Sequence, residues 1–169
     1  MVPHGLKPTL MHILFRVFPL RLLLLLSVVL LLTLNVFSFY GLYTNKFYFL
    51  KFDNYIFPLL TIVHFVYLSA IWSKVKENSI PDIPMRNMEY ALYFIYMVYI
   101  FKFLESIYKL TTYRDFENDI IPDTFIPIGI ALAVFHFLLL TVTLLTIIYR
   151  KERIGSYHFE DLHDHTDHW

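Results

Sequence analysis

The sequence predicts an all-α polytopic integral membrane protein: an antiparallel four-helix transmembrane bundle with both termini cytosolic. Three observations lead there. The 169 residues are 57% apolar with a positive mean hydropathy, more apolar than a water-soluble domain. The apolar residues gather in four runs, about 18–40, 55–72, 87–108 and 125–149, each close to the roughly 20 residues a helix needs to cross about 30 Å of hydrocarbon. Lys and Arg also divide unevenly. Nine of the fourteen lie in the amino-terminal arm with Arg21, the 73–86 connector and the tail, and four lie in the other two loops. That bias sets the arm, the connector and the tail on the cytosolic side.

Composition excludes several classes of function. Without cysteine there is no disulfide, thiolate metal site or thiol nucleophile. A formal net charge of zero argues against a nucleic-acid partner. Four glycines leave no glycine-rich phosphate loop. No Ser/His/Asp arrangement or paired-carboxylate site is visible, so the expectation leans away from an enzyme.

Residues 1–17 form a basic arm with Lys7 and Arg16. The first run is almost unbroken from Leu22 to Phe39. It exceeds the roughly 7–15 apolar residues of a cleaved signal, and no small-residue cleavage site follows it, so it is read as a retained span. Pro19 suits a first turn, where its missing N–H costs little, and Arg21 can snorkel to the near interface. The 41–54 link is rich in Tyr, Phe and Lys, which favour the headgroup zone. The second run carries Pro58 near its start and Trp72 at its far end. Ile-Pro-Asp-Ile-Pro at 80–84 forbids a continuous helix through the connector. The third run is dense in tyrosine and holds Lys102 and Glu105. The loop 109–123 has four acids and two basic residues. The fourth run ends at the cluster Arg150, Lys151 and Arg153, which is expected to lie against anionic lipid. The segment 150–169 is a cytosolic tail rich in His and acid.

Lipid gives helices no hydrophobic reason to pair, so small and weakly polar residues must supply the contacts. The stripes expected to face the bundle axis are Ser27, Leu31, Asn35 and Ser38 in the first span, and Thr61, His64 and Tyr67 in the second. In the third they are Ala91, Ile95, Val98, Lys102, Glu105 and Lys109, and in the fourth Gly129, Ala133, His136, Leu140 and Thr143. Short connections favour antiparallel neighbours.

Ionisable groups inside spans are the candidates for chemistry. His64 and His136 fall at matched depth near the middle of spans two and four. They could ligate both axial positions of a b-type haem or form a proton relay. As packing residues they would bond a neighbouring hydroxyl, with Thr61 and Tyr67 one turn either side of His64. Lys102 and Glu105 read either as an ion or proton path or as a locally neutralised pair whose ends snorkel outward. Asn35 is a further intramembrane polar group. In the tail His163, His165 and His168 with Asp164 offer ligands for a divalent transition metal such as zinc, nickel or copper(II), at the entropic cost of ordering an unframed segment.

The opening of span three, Arg86-Asn87-Met88-Glu89-Tyr90-Ala91-Leu92, and that of span four, Gly129-Ile130-Ala131-Leu132-Ala133 running into Phe135-His136-Phe137, resemble MARVEL-like tetraspan proteins. So does the layout of residues 12–150. The resemblance implies non-enzymatic roles in organising membranes or assisting vesicle traffic, and it carries over no catalytic residues. The His-rich tail and Lys102/Glu105 depart from that pattern. The expected partners are the lipid bilayer and a membrane-protein partner or homo-oligomer, at the plasma membrane or in the endomembrane system. The alternatives are an accessory subunit of a larger membrane enzyme or transporter, and an intramembrane redox or proton-relay protein.

Overall fold

A computed structural model describes residues 19–116, 121–155 and 157. The basic arm and the tail ligands His163, Asp164, His165 and His168 lie outside the described residues. The described chain is mostly helical, with four helices α1 (Leu20–Ser38), α2 (Ile56–Glu77), α3 (Ile83–Thr112) and α4 (Phe125–Arg153). All four are long and apolar enough to cross a membrane, α2 together with the short 3-10 turn Phe52–Tyr55 that leads into it. Each helix packs on its neighbours in chain order, and α1 closes the ring on α4.

Local chemistry sets the helix ends. Pro19 is extended and serves as the N-cap of α1. α2 runs past the apolar stretch to Glu77, through Lys74 and Lys76 in its last turn, and stops where Asn78 turns left-handed at φ 50°. α3 begins at Ile83, earlier than the apolar run suggested. Pro84 is tolerated in a first turn, and the Asp82 side chain caps the start by accepting from the Met85 N–H at 3.0 Å. Lys74 reaches Asp82 at 2.8 Å and so ties the end of α2 to the start of α3. Arg21 at the start of α1 lies over the Trp72 ring, 5.8 Å from its centroid. These contacts define one end of the bundle, called here the termini end. At the other end β1 (Tyr40–Gly41) pairs antiparallel with β2 (Lys46–Phe47) in a small hairpin. Tyr43 in its loop packs on Phe125 at the start of α4, with ring centroids 4.8 Å apart.

The core follows the expected stripes in two helices. Thr61, His64 and Tyr67 of α2 are buried, as are Gly129, Ala133, His136, Leu140 and Thr143 of α4. In α1 Ser27 and Leu31 are buried, while Asn35 and Ser38 are half-buried. α3 departs from expectation. Its buried residues are Met85, Glu89, Leu92, Ile95 and Tyr99, and Ala91 stands exposed. The stripe is turned by about one residue, which is about 100° of helix.

Candidate functional site

The polar groups of the bundle form two charged clusters, near either end of α3, with a histidine layer between them. At about 1.5 Å per residue, the 30 residues of α3 extend about 45 Å, and Glu89 and Glu105 are separated by about 24 Å along it. That spacing suits charges at the two margins of a hydrocarbon layer about 30 Å thick.

At the termini end Glu89 of α3 and Arg150 of α4 form an ion pair whose side chains are each 2% exposed. Arg150 also donates to the Gly155 carbonyl at 2.9 Å, and Tyr157 donates to the other Glu89 oxygen at 2.9 Å. Tyr93, one turn along α3, donates to Glu89 as well. The Tyr157 ring lies 4.7 Å from the guanidinium carbon, a cation–π arrangement. Burial, and then the bond to the Glu89 carboxylate, raise the Tyr157 phenol above its ordinary pKa. Removing two charges from water is costly, and the cost is recovered only where hydrogen bonds saturate them. Here Gly155, Tyr157 and Tyr93 add hydrogen bonds to the pair, while the Arg150 Nε donor is left without a partner. Arg150 was expected at a lipid surface with Lys151 and Arg153; it is instead the most deeply placed cation of the described chain. The periodicity that could have found it is the stripe of α4. Continuing Gly129, Ala133, His136, Leu140 and Thr143 at the same spacing leads through Ile147 to Arg150.

In the middle layer His64 Nδ1 lies 3.1 Å from the Tyr99 hydroxyl of α3, and the two rings stack. The partner is therefore a tyrosine of the neighbouring helix rather than Thr61 or Tyr67 one turn away, which could have served. Thr61 instead bonds the Phe57 carbonyl at 3.0 Å and the Asn35 side chain of α1 at 3.3 Å. His136 Nδ1 is 2.8 Å from the Leu132 carbonyl, which can only accept, so Nδ1 carries a proton. The Ser106 hydroxyl lies 3.4 Å from the same nitrogen. The two histidines are joined by ring contacts. Tyr99 touches Phe57 at 5.6 Å between centroids, and Phe57 meets His136 edge-on at 6.3 Å. The rings of Tyr99 and Phe57 stand between the two imidazoles, so a haem ligated by both requires those rings to move.

Toward the hairpin end Glu105 takes one bond from Lys102 at 2.8 Å and another from Lys109 at 2.6 Å. Glu105 pairs with Lys102 at i,i+3 and with Lys109 at i,i+4, so the triad carries one positive charge in excess. This triad borders a cavity of about 840 Å³. His136, Ser106 and Leu132 also line it, and the hairpin covers part of it. Gly129 belongs to the same wall. A Cβ there would stand 2.7 Å from a Leu110 methyl, the end of a flexible side chain that can shift, so the small residue eases the packing of α3 on α4 here without being required for it.

Among the described residues, no group of three or more His, Cys, Asp or Glu comes together that could hold a metal ion. No family model, curated protein or solved structure matches the chain.

Proposed function

We propose that this is a non-enzymatic, multi-pass membrane protein that acts by lateral helix contact, as a four-span membrane organiser or trafficking factor of the kind the MARVEL-like resemblance implies. One observation carries the reading, the outer face of α3. Of the four candidate spans α3 is the longest and the least covered by its own bundle, with 17% of its apolar window buried against 33–39% for the others. Its uncovered stripe is Tyr90, Phe94, Met97, Phe101, Leu104 and Tyr108, all more than half exposed. The corresponding face of α1 is purely aliphatic: Leu22, Leu25, Val29, Leu32 and Val36. Lipid contact asks only for apolarity, and aliphatic residues meet it. Aromatic residues and Met offer a shaped, polarizable surface for the van der Waals packing that, with small and polar residues, associates helices in lipid. The alternation of three and four residues along the α3 stripe is also the seam spacing of helix pairs.

The absence of cysteine makes the test clean. Single substitutions Phe94→Cys, Met97→Cys and Phe101→Cys on α3, and Val29→Cys and Leu32→Cys on α1, are expressed in native membranes and treated with an oxidant and a short bis-maleimide. The α3 variants are expected to give a discrete adduct, to a second copy or to another membrane protein, at least several-fold above the α1 variants. Equal yields from both helices, or none from either, overturn the reading. A single stoichiometric multi-span adduct identifies the partner and makes the chain that partner's accessory subunit.

A further inference from the structure

We infer that the cavity at the hairpin end is a binding site for an anionic amphiphile, a lipid or fatty acid whose acyl chain enters between α2 and α3 and whose acidic head is held by Lys102 and Lys109. Three independent features converge on it. The first is size. At about 840 Å³ the cavity falls within the range of about 300–1,000 Å³ typical of small-molecule sites.

The second is access. Ile56 of α2 and Phe101 of α3 line the cavity, both are more than half exposed, and Phe101 belongs to the outward stripe of α3. The cavity therefore reaches the lipid-facing surface between these two helices. Its inner wall there is apolar, with Leu34, Phe57 and Leu132 as surfaces for a hydrocarbon chain.

The third is charge. Three lysines and two carboxylates border the cavity: Lys51, Lys102 and Lys109 against Asp53 and Glu105. Lys51 pairs with Asp53 at 3.8 Å, so Lys102 and Lys109 share Glu105 alone. One positive charge is left in excess beside an apolar wall. Each ammonium has three N–H donors and gives one to Glu105, so both can also donate to a carboxylate or phosphate oxygen. The charge-assisted bonds that result are the strong class of hydrogen bond. A zwitterionic head brings its own cation to a site that already holds an excess of positive charge, and gains less.

The experiment uses the full chain, purified in a neutral detergent and delipidated, with binding read by quenching of a dansylated probe lipid. Competing arms are palmitate, lysophosphatidate, lysophosphatidylcholine and inorganic phosphate. Palmitate or lysophosphatidate is expected to bind at least tenfold more tightly than lysophosphatidylcholine, and whichever of the two is tighter identifies the acidic head. Inorganic phosphate is expected not to compete. The double variant Lys102→Met/Lys109→Met is expected to lose tenfold or more, and Lys46→Met, outside the cavity, to change nothing. Glu105→Gln keeps both lysines, removes their shared carboxylate and is expected to tighten binding several-fold, which tests the idea even if the double variant fails to fold. Equal affinity for the zwitterion, full competition by inorganic phosphate, or weaker binding in Glu105→Gln overturns the inference. The outcome is independent of crosslinking along α3.

Discussion

Among the ion pairs of the described residues, Glu89 and Arg150 form the most deeply buried. Removing one partner strands the other as a buried charge, which typically costs about 3–5 kcal/mol, whereas replacing both by apolar residues of similar volume is often neutral. Arg150→Met and Glu89→Leu are each expected to lower the thermal midpoint in detergent sharply, and the double variant to recover most of the loss. If both single variants melt with the parent, the pair contributes no stability and the hydrogen bonds gathered around it have another purpose. This pair was not legible in the sequence. The two residues are 61 positions apart, and Arg150 stands in a run of basic residues that looks like an ordinary span end. His64 and His136 were legible as buried, because an ionisable residue in an apolar run stands out. Their partners were not: a helical stripe shows which side a residue faces and gives no information about which helix lies opposite.

At the level of elements, the start of α3 carries a pH dependence. Burial, the largest influence, pushes the Asp82 carboxyl up, but the Lys74 hydrogen bond and charge and the Met85 N–H outweigh it and hold the carboxyl below its usual range. A depressed carboxylate pKa means stability that is fully present above the unfolded value, about 3.9, and lost as pH falls through the folded one. Asp82→Ala is expected to cost about 0.5–2 kcal/mol at neutral pH, the usual worth of an N-cap. Its deficit against the parent should shrink toward zero in melts taken at progressively more acid pH. A constant deficit across that range points to helix propensity rather than charge. Between α3 and α4 the contact at Gly129 makes a second expectation. The first added carbon meets the movable end of Leu110, so Gly129→Ala should be mild. Gly129→Val adds branched volume against the same wall and is expected to cost about 1–3 kcal/mol as overpacking. The comparison is read from paired thermal melts. The boundary of α3 was misjudged from sequence because two prolines close together look like a barrier. In fact only Pro81 lies outside the helix, and Pro84 fits inside the first turn.

At the scale of the molecule, four helices long and apolar enough to cross a membrane, and their antiparallel connections, were legible because hydrophobic length and short loops leave few alternatives. The facing of α2 and α4 was legible because Thr61, His64, Gly129 and His136 are small or polar exceptions in an apolar background. α3 lacked that contrast. Its tyrosines are amphipathic and suit either side, so Lys102, Glu105 and Lys109 supplied the phase. Those three border the cavity, where the bundle opens, and the phase they give is that of the mouth rather than of the packed core. The cavity itself is made by four helices and a hairpin together, and no single stretch of sequence contains it.

The distance in sequence between Glu89 and Arg150 also fixes an order of events during synthesis. Glu89 is made 61 residues before its partner. At about 5–20 residues per second, the carboxylate waits about 3–12 seconds before the guanidinium exists. Throughout that interval the nascent chain carries an unanswered acid among its third apolar segment, and only the arrival of nearly the last helical turn cancels it. The contact of α3 with α4 at this end is therefore completed late, once nearly all of α4 has been made.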